Sequence, residues 1–249
     1  MSNLVIVHKS IMITEYIPSE SRGHLNHGWL DTWHSFSFAS YFNPVRNQFG
    51  TLRVLNDDTI LGGTGFGEHP HQNMEIISIP LTGALQHRDN VGHIEVIKPG
   101  DVQVMSAGSG IRHSEYNHDS EEACNFLQIW IYTRNKNIKP RYDQRSFSSN
   151  AQKEKLHLLV CPDNQPEDNA LFICQDAWIS RVSLESGNSI EYKVRKQGNY
   201  IYVFLIEGTL HAHCEQLSRR DALSVREAET LLFEADTVSD ILIIEVPEK

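Results

Sequence analysis

At 249 residues the chain exceeds the needs of one small barrel and suits two domains of ordinary size. Hydrophobic residues make up 40% and charged residues 22%, a globular rather than a disordered balance. A net charge of -10, from 22 Lys+Arg against 32 Asp+Glu, argues against direct binding to a phosphate backbone. No run approaches the roughly 20 apolar residues of a membrane span. Leu4 to Val7 is too short for the apolar region of a signal peptide, so a soluble, cytoplasmic protein is expected. The four cysteines, Cys124, Cys161, Cys174 and Cys214, form no CxxC pair and read as reduced core thiols.

In chain order, the first distinctive stretch carries His24, His27 and His34 among aromatic residues, and these histidines read as structural or pocket-rim groups. Trp29, Trp33, Phe36, Phe38, Phe49 and Phe66 read as barrel core before ligand pocket. The segment from Gly63 to Glu75 holds His69 and His71, two residues apart, so in a strand both face one interior. Short strands punctuated by turns follow: 74–81, 93–97, 102–105 and 126–132, with Thr82-Gly83 and Pro99-Gly100-Asp101 among the turns. Between them His113 and Glu115 repeat the two-residue spacing. Two such pairs on facing strands supply three imidazoles and a carboxylate around one point. That donor set suits Fe(II), Mn, Ni, Cu or Zn and disfavours Ca and Mg.

Arg134 to Lys155 is polar and lacks period-2 patterning, and its basic cluster (Lys136, Lys139, Arg141, Arg145) reads as a solvated linker. Boundaries are therefore expected at 1–135 for the first domain, 136–150 for the linker and 151–249 for the second domain. Strands resume at 178–184, 200–206, 230–233 and 241–246, with 217–229 the best candidate for a helix. The stretch around Gly208 (VFLIEGTLHAHC) resembles that around Gly83 (SIPLTGALQHRD), which points to a diverged duplication and an antiparallel all-β sandwich or barrel in each half. His211 and His213 come after Gly208, whereas His69 and His71 precede Gly83 by fourteen and twelve residues. The same count back from Gly208 reaches Val194 and Lys196, so the second half is expected to lack a metal site.

Gly63-x5-His69-x-His71-x3-Glu75, followed by Gly83, resembles the first cupin motif. Gly100 through His113 to Asn117 resembles the second in looser form, with Ser106 where proline is usual and two extra residues before His113. These departures, together with NHGWLD at 26–31, WHSFSF at 33–38, SAGSGIRHSE at 106–115 and QIWI at 128–131, resemble the pirins. Pirins are two-domain cupins, and several bacterial members degrade the flavonol quercetin. The resemblance is dense over 21–147 and thinner to Val246.

It implies two tandem jelly-roll cupin barrels, a bicupin, with one divalent transition metal, iron first, in the N-terminal barrel. Generic cupins would use Glu75 as the fourth ligand. Resemblance to pirins instead gives His69, His71, His113 and Glu115, with Glu75 structural or orienting a ligand imidazole. The implied activity is a quercetin-type 2,3-dioxygenase that releases carbon monoxide, with Glu115 as the catalytic base, acting on a flavonol and dioxygen. The alternative is a non-enzymatic, metal- or redox-responsive co-regulator working through a protein partner. A monomer is expected in either case.

Overall fold

The computed structural model describes residues 12–147 and 153–249; the apolar run at 4–7 and the linker residues 148–150 lie outside them. Within the described residues the chain forms 22 strands and one turn of 3-10 helix at Ser19–Ser21. No helix there is long and apolar enough to cross a membrane. The strands make two sandwiches, each of a seven-stranded and a four-stranded sheet, which are the two cupin barrels of a bicupin.

In the first barrel the large sheet runs Arg141–Ser146, Asp101–Ser106, Met74–Thr82, Cys124–Tyr132, Leu52–Ile60, Leu30–His34, Gly23–Asn26. The small sheet runs Gly65–His71, Ile111–Asn117, Leu85–Asp89, Ile94–Ile97. In the second barrel the large sheet runs Ile13–Ile17, Ala222–Arg226, Tyr200–Glu207, Ser239–Val246, Trp178–Leu184, His157–Pro162, Leu171–Ile173. Its small sheet runs Ser189–Lys193, Thr230–Ala235, Thr209–Ala212, Glu215–Ser218. The small sheets and the five inner strands of the large sheets match position by position, as a duplication requires, whereas the edge strands differ: Gly23–Asn26 pairs antiparallel and precedes its neighbour in the chain, while Leu171–Ile173 pairs parallel and follows it. Gly83 and Gly208 occupy the same turn at positive φ, +69° and +97°. A Cβ at either would come within 2.8 Å or less of the backbone entering the neighbouring strand.

Three expectations are corrected. Arg141–Ser146, expected as linker, is a strand paired with Asp101–Ser106 of the first barrel. It lacks period-2 patterning because it is an edge strand whose side chains are only partly buried or exposed. The segment 217–229 is not a helix: it holds the end of one strand, a turn with Arg220 at φ +68°, and the strand Ala222–Arg226. That strand is buried on both faces, so its apolar run shows no alternation. The expected first domain, 1–135, is corrected as well: Ile13–Ile17 crosses to pair with that strand and completes the second barrel's sheet.

The cores differ in a way that bears on function. Alternate residues of the two large sheets, such as Ile77, Ile79 and Leu127 facing Ile179, Phe204 and Leu242, form one apolar layer between the barrels. The second barrel is filled by a continuous apolar cluster that includes Leu231 and Phe233. The first barrel has only two small apolar clusters. Between them lies a row of register partners across five strands, Gln103, Ser78, Gln128, Asn56 and His34. All five are buried. Burying that many polar groups is costly unless they are used.

Candidate metal centre

Three adjacent strands of the first barrel's small sheet supply the centre. Gly65–His71 carries His69 and His71, and Ile111–Asn117 carries His113 and Glu115. Leu85–Asp89 carries His87 and Asp89. His113 is the register partner of His69 on one side and of Asp89 on the other; Glu115 lies opposite His87. The register shift between His113 and Glu115 is a bulge on the Gly65–His71 side, where strands are often re-aimed next to sites.

The imidazoles of His69, His71 and His113 converge, with ring centroids 4.5–4.8 Å apart. His113 Nε2 lies 3.0 Å from His69 Nε2. Two nitrogens held at about 2.1 Å from one ion and at right angles lie about 3 Å apart, so this spacing suits a shared ligand sphere. His71 Nε2 is buried and without a hydrogen-bond partner. His69 Nδ1 donates to the Gly67 carbonyl at 2.8 Å, which leaves Nε2 as the free lone pair. Burial, reinforced by the neighbouring histidines, pushes His71 and His113 down to about 3, so both rings are neutral near pH 7. The residues present therefore fit a divalent transition metal.

Glu115 is buried close by, at metal-ligand spacing from His113 and His87 rather than from all three imidazoles. Its Oε1 accepts from Ser78 Oγ at 3.0 Å, and Gln128 Nε2 donates to Oε2 at 3.2 Å. Trp130 Nε1 in turn donates to Gln128 Oε1 at 3.0 Å. Trp130 packs edge-on against His71 and against Phe38, giving the centre an aromatic wall. Phe36 and Phe49, by contrast, belong to the layer between the barrels.

Glu75 faces the other way. Even-numbered residues of Met74–Thr82 point into the barrel, as Ser78 does toward Glu115 and Ile76 toward Ile111. Glu75 shares the opposite face with Ile77 and Ile79, and Ser106 Oγ donates to it at 2.6 Å. Burial raises its pKa against the hydrogen bonds that oppose the shift. Of its two expected roles, orienting a ligand imidazole is ruled out by that face.

His87 and Asp89 were not singled out by sequence. His87 is fully buried, its Nδ1 3.4 Å from His113 Nδ1 and its Nε2 3.2 Å from Asp89 Oδ2. His87, His113 and Glu115 form a second group at metal-ligand spacing. The available signal was a third pair two residues apart, on the strand just after Gly83.

In the second barrel, Leu210 pairs with Ala235 as Leu85 pairs with Asn117. By that register His113 and Glu115 correspond to Leu231 and Phe233, while His69 and His71 correspond to Tyr192 and Val194. Counting from the turn gave Val194 and Lys196, two residues late, because the return to the next strand is longer here. His211 lies half-exposed near Asp236 and His213 is exposed. Of the cysteines, Cys124, Cys161 and Cys174 are buried free thiols, whereas Cys214 is exposed.

Residues 17–131 match the Pirin family model, and residues 158–246 match the model of the quercetinase C-terminal cupin domain. A quercetin 2,3-dioxygenase of Escherichia coli K12 is 38% identical over 92% of this chain and 96% of its own length. The chain belongs to the pirin family. A putative quercetin 2,3-dioxygenase of Pseudomonas aeruginosa is 40% identical, covering 92% of this pirin and 97% of its own length. The fold is also that of the E. coli pirin YhhW solved in complex with nickel(II). The TM-score is 0.89 and the identity 36%, over 95% of this chain and all of that one.

Proposed function

We propose that this pirin is a metal-dependent flavonol 2,3-dioxygenase that opens the quercetin ring with dioxygen and releases carbon monoxide. The observation that carries the reading is the convergence of His69, His71 and His113 beside the buried carboxylate of Glu115. Relatives named quercetin 2,3-dioxygenase over nearly the whole chain support the substrate class.

His69, His71, His113 and Glu115 would hold one ion, which we assign as iron(II). The nickel(II) complex of the E. coli pirin makes nickel the second ion to test. When bound, the ion supplies a Lewis acid that lowers the pKa of a coordinated flavonol hydroxyl. The neutral imidazoles bring no protons to displace near pH 7. Glu115 takes the hydroxyl proton at Oε2, whose one hydrogen-bond donor is Gln128, while Oε1 is engaged by Ser78 and Gln128. Ser78 and Gln128 hold that carboxylate in place before and after the transfer. Phe38 and Trp130 offer a flat aromatic substrate an apolar wall next to His71. The second barrel, whose corresponding positions are Tyr192, Val194, Leu231 and Phe233, contributes packing and no second ion.

The test is oxygen uptake and carbon monoxide release with quercetin, for wild type and Glu115→Gln reconstituted with Fe(II), Ni(II), Cu(II) and Mn(II). The expected result is carbon monoxide from wild type. The metal-loaded variant should fall by about 10²–10⁴-fold in rate. Wild type inactive with every ion, or a fully active Glu115→Gln, would overturn the reading.

A further inference from the structure

Beyond the four ligands, a hydrogen-bonded chain runs from the protein surface to the back of one of them. His93, partly exposed, has its Nδ1 2.7 Å from Asp89 Oδ2. The same oxygen lies 3.2 Å from His87 Nε2, and His87 Nδ1 lies 3.4 Å from His113 Nδ1. The Tyr142 ring packs against both His87 and His93, with centroids 4.6 and 4.9 Å away. It reaches them from the edge strand Arg141–Ser146, which holds it over the chain.

The direction of each bond follows from the carboxylate. Asp89 Oδ1 accepts three backbone N–H groups, from Val91, Gly92 and His93, at 2.9–3.0 Å. An ionised carboxylate only accepts, so His87 must present Nε2–H to Oδ2. In a neutral His87 ring Nδ1 is then an acceptor, and the proton between the two rings sits on His113 Nδ1. That leaves His113 Nε2, the atom facing His69, as a lone pair.

We infer that His87 and Asp89 are positioning residues that fix the tautomer and orientation of His113 and so set the affinity of the centre. This rests on the metal reading above and deepens it. The chain also makes an unusual prediction for the mildest substitution. In Asp89→Asn the amide oxygen must stay with the three backbone N–H groups, because an NH₂ cannot accept them. The NH₂ is therefore turned toward His87. His87 must then accept at Nε2 and donate from Nδ1, which forces His113 to accept at Nδ1 and to carry its proton on Nε2. That tautomer can ligate through Nε2 only by giving up its proton and the hydrogen bond to His87, so a change of one atom at Asp89 weakens a ligand two residues along the chain of hydrogen bonds.

The experiment uses nitrogen NMR of the imidazoles in the metal-free full chain, with nickel(II) affinity measured by chelator competition. In wild type, His113 should be protonated at Nδ1; in Asp89→Asn it should be protonated at Nε2, with nickel affinity lower by about 10–100-fold. His87→Leu should lose a similar factor. His87→Gln, whose amide can both accept from His113 and donate to Asp89, should recover most of it. A wild-type His113 protonated at Nε2, or an Asp89→Asn protein with unchanged tautomer and affinity, would overturn the inference. The tautomer is read without metal, so it stands or falls separately from the metal reading, which would instead fail if wild type bound no nickel.

Discussion

Asp58 shows how the polar interior of the first barrel costs stability in one pH range. It is fully buried, accepts a hydrogen bond from Thr32 Oγ1, and is raised to about 7 by burial, with Asp57 and Glu115 adding to the shift. Its ordinary value is 3.8, so the folded state binds the proton more tightly. The group's contribution is full below pH 3.8 and is lost as the pH rises through 7. Asp58→Asn keeps the acceptor for Thr32 and cannot ionise. Its melting temperature should match wild type near pH 4 and exceed it at pH 8, by about 2–4 °C for each kcal/mol recovered in a chain of this size. An advantage that failed to grow with pH would refute the assignment. Glu75→Gln tests facing rather than titration. Because Glu75 points into the layer between the barrels, its change should cost less metal affinity than the about 10–100-fold typical of a group that touches a ligand. Emptying of the site in Glu75→Gln, as in His69→Ala, would restore Glu75 as a ligand.

Among the strands, what the sequence exposed depended on burial. The strands 74–82, 124–132, 178–184, 200–207 and 239–246 were legible because an apolar layer on one or both faces imposes a pattern. Edge strands were not: Arg141–Ser146 and Ile13–Ile17 bury little and read as polar or irregular. Two-residue spacing and flanking glycines single out His69, His71, His113 and Glu115 as candidates, and it is the resemblance to pirins that prefers Glu115 to Glu75 as the fourth. His87 and Asp89 carry the same spacing outside any motif, and only the third dimension brings their strand beside His113. Ser78 and Gln128 looked like ordinary polar residues within apolar strands. The crossing of Ile13–Ile17 into the second barrel is fastened by Asp221, which accepts from Tyr16 Oη at 2.8 Å, Ser19 N at 2.7 Å and Ser218 N at 2.8 Å. Asp221→Ala should lower stability by about 1–3 kcal/mol in urea unfolding and speed proteolysis within residues 12–22. An unchanged midpoint would mean that the strand pairing alone holds the segment.

For the whole molecule, the duplicated architecture separates two tasks. One barrel has an apolar interior with Leu231 and Phe233 at the corresponding positions, and serves as a packed support. The other gives up much of its apolar core to polar and ionisable groups around three imidazoles, and the layer between the barrels makes good part of that loss. One ion per chain is what we propose for this division, and elemental analysis of anaerobically purified protein tests it most directly. Wild type and the double variant His211→Ala/His213→Ala should each contain one equivalent of transition metal, while His113→Ala should contain essentially none. Two equivalents in wild type, loss of metal from the double variant, or full occupancy in His113→Ala would contradict a single centre built on His69, His71, His113 and Glu115.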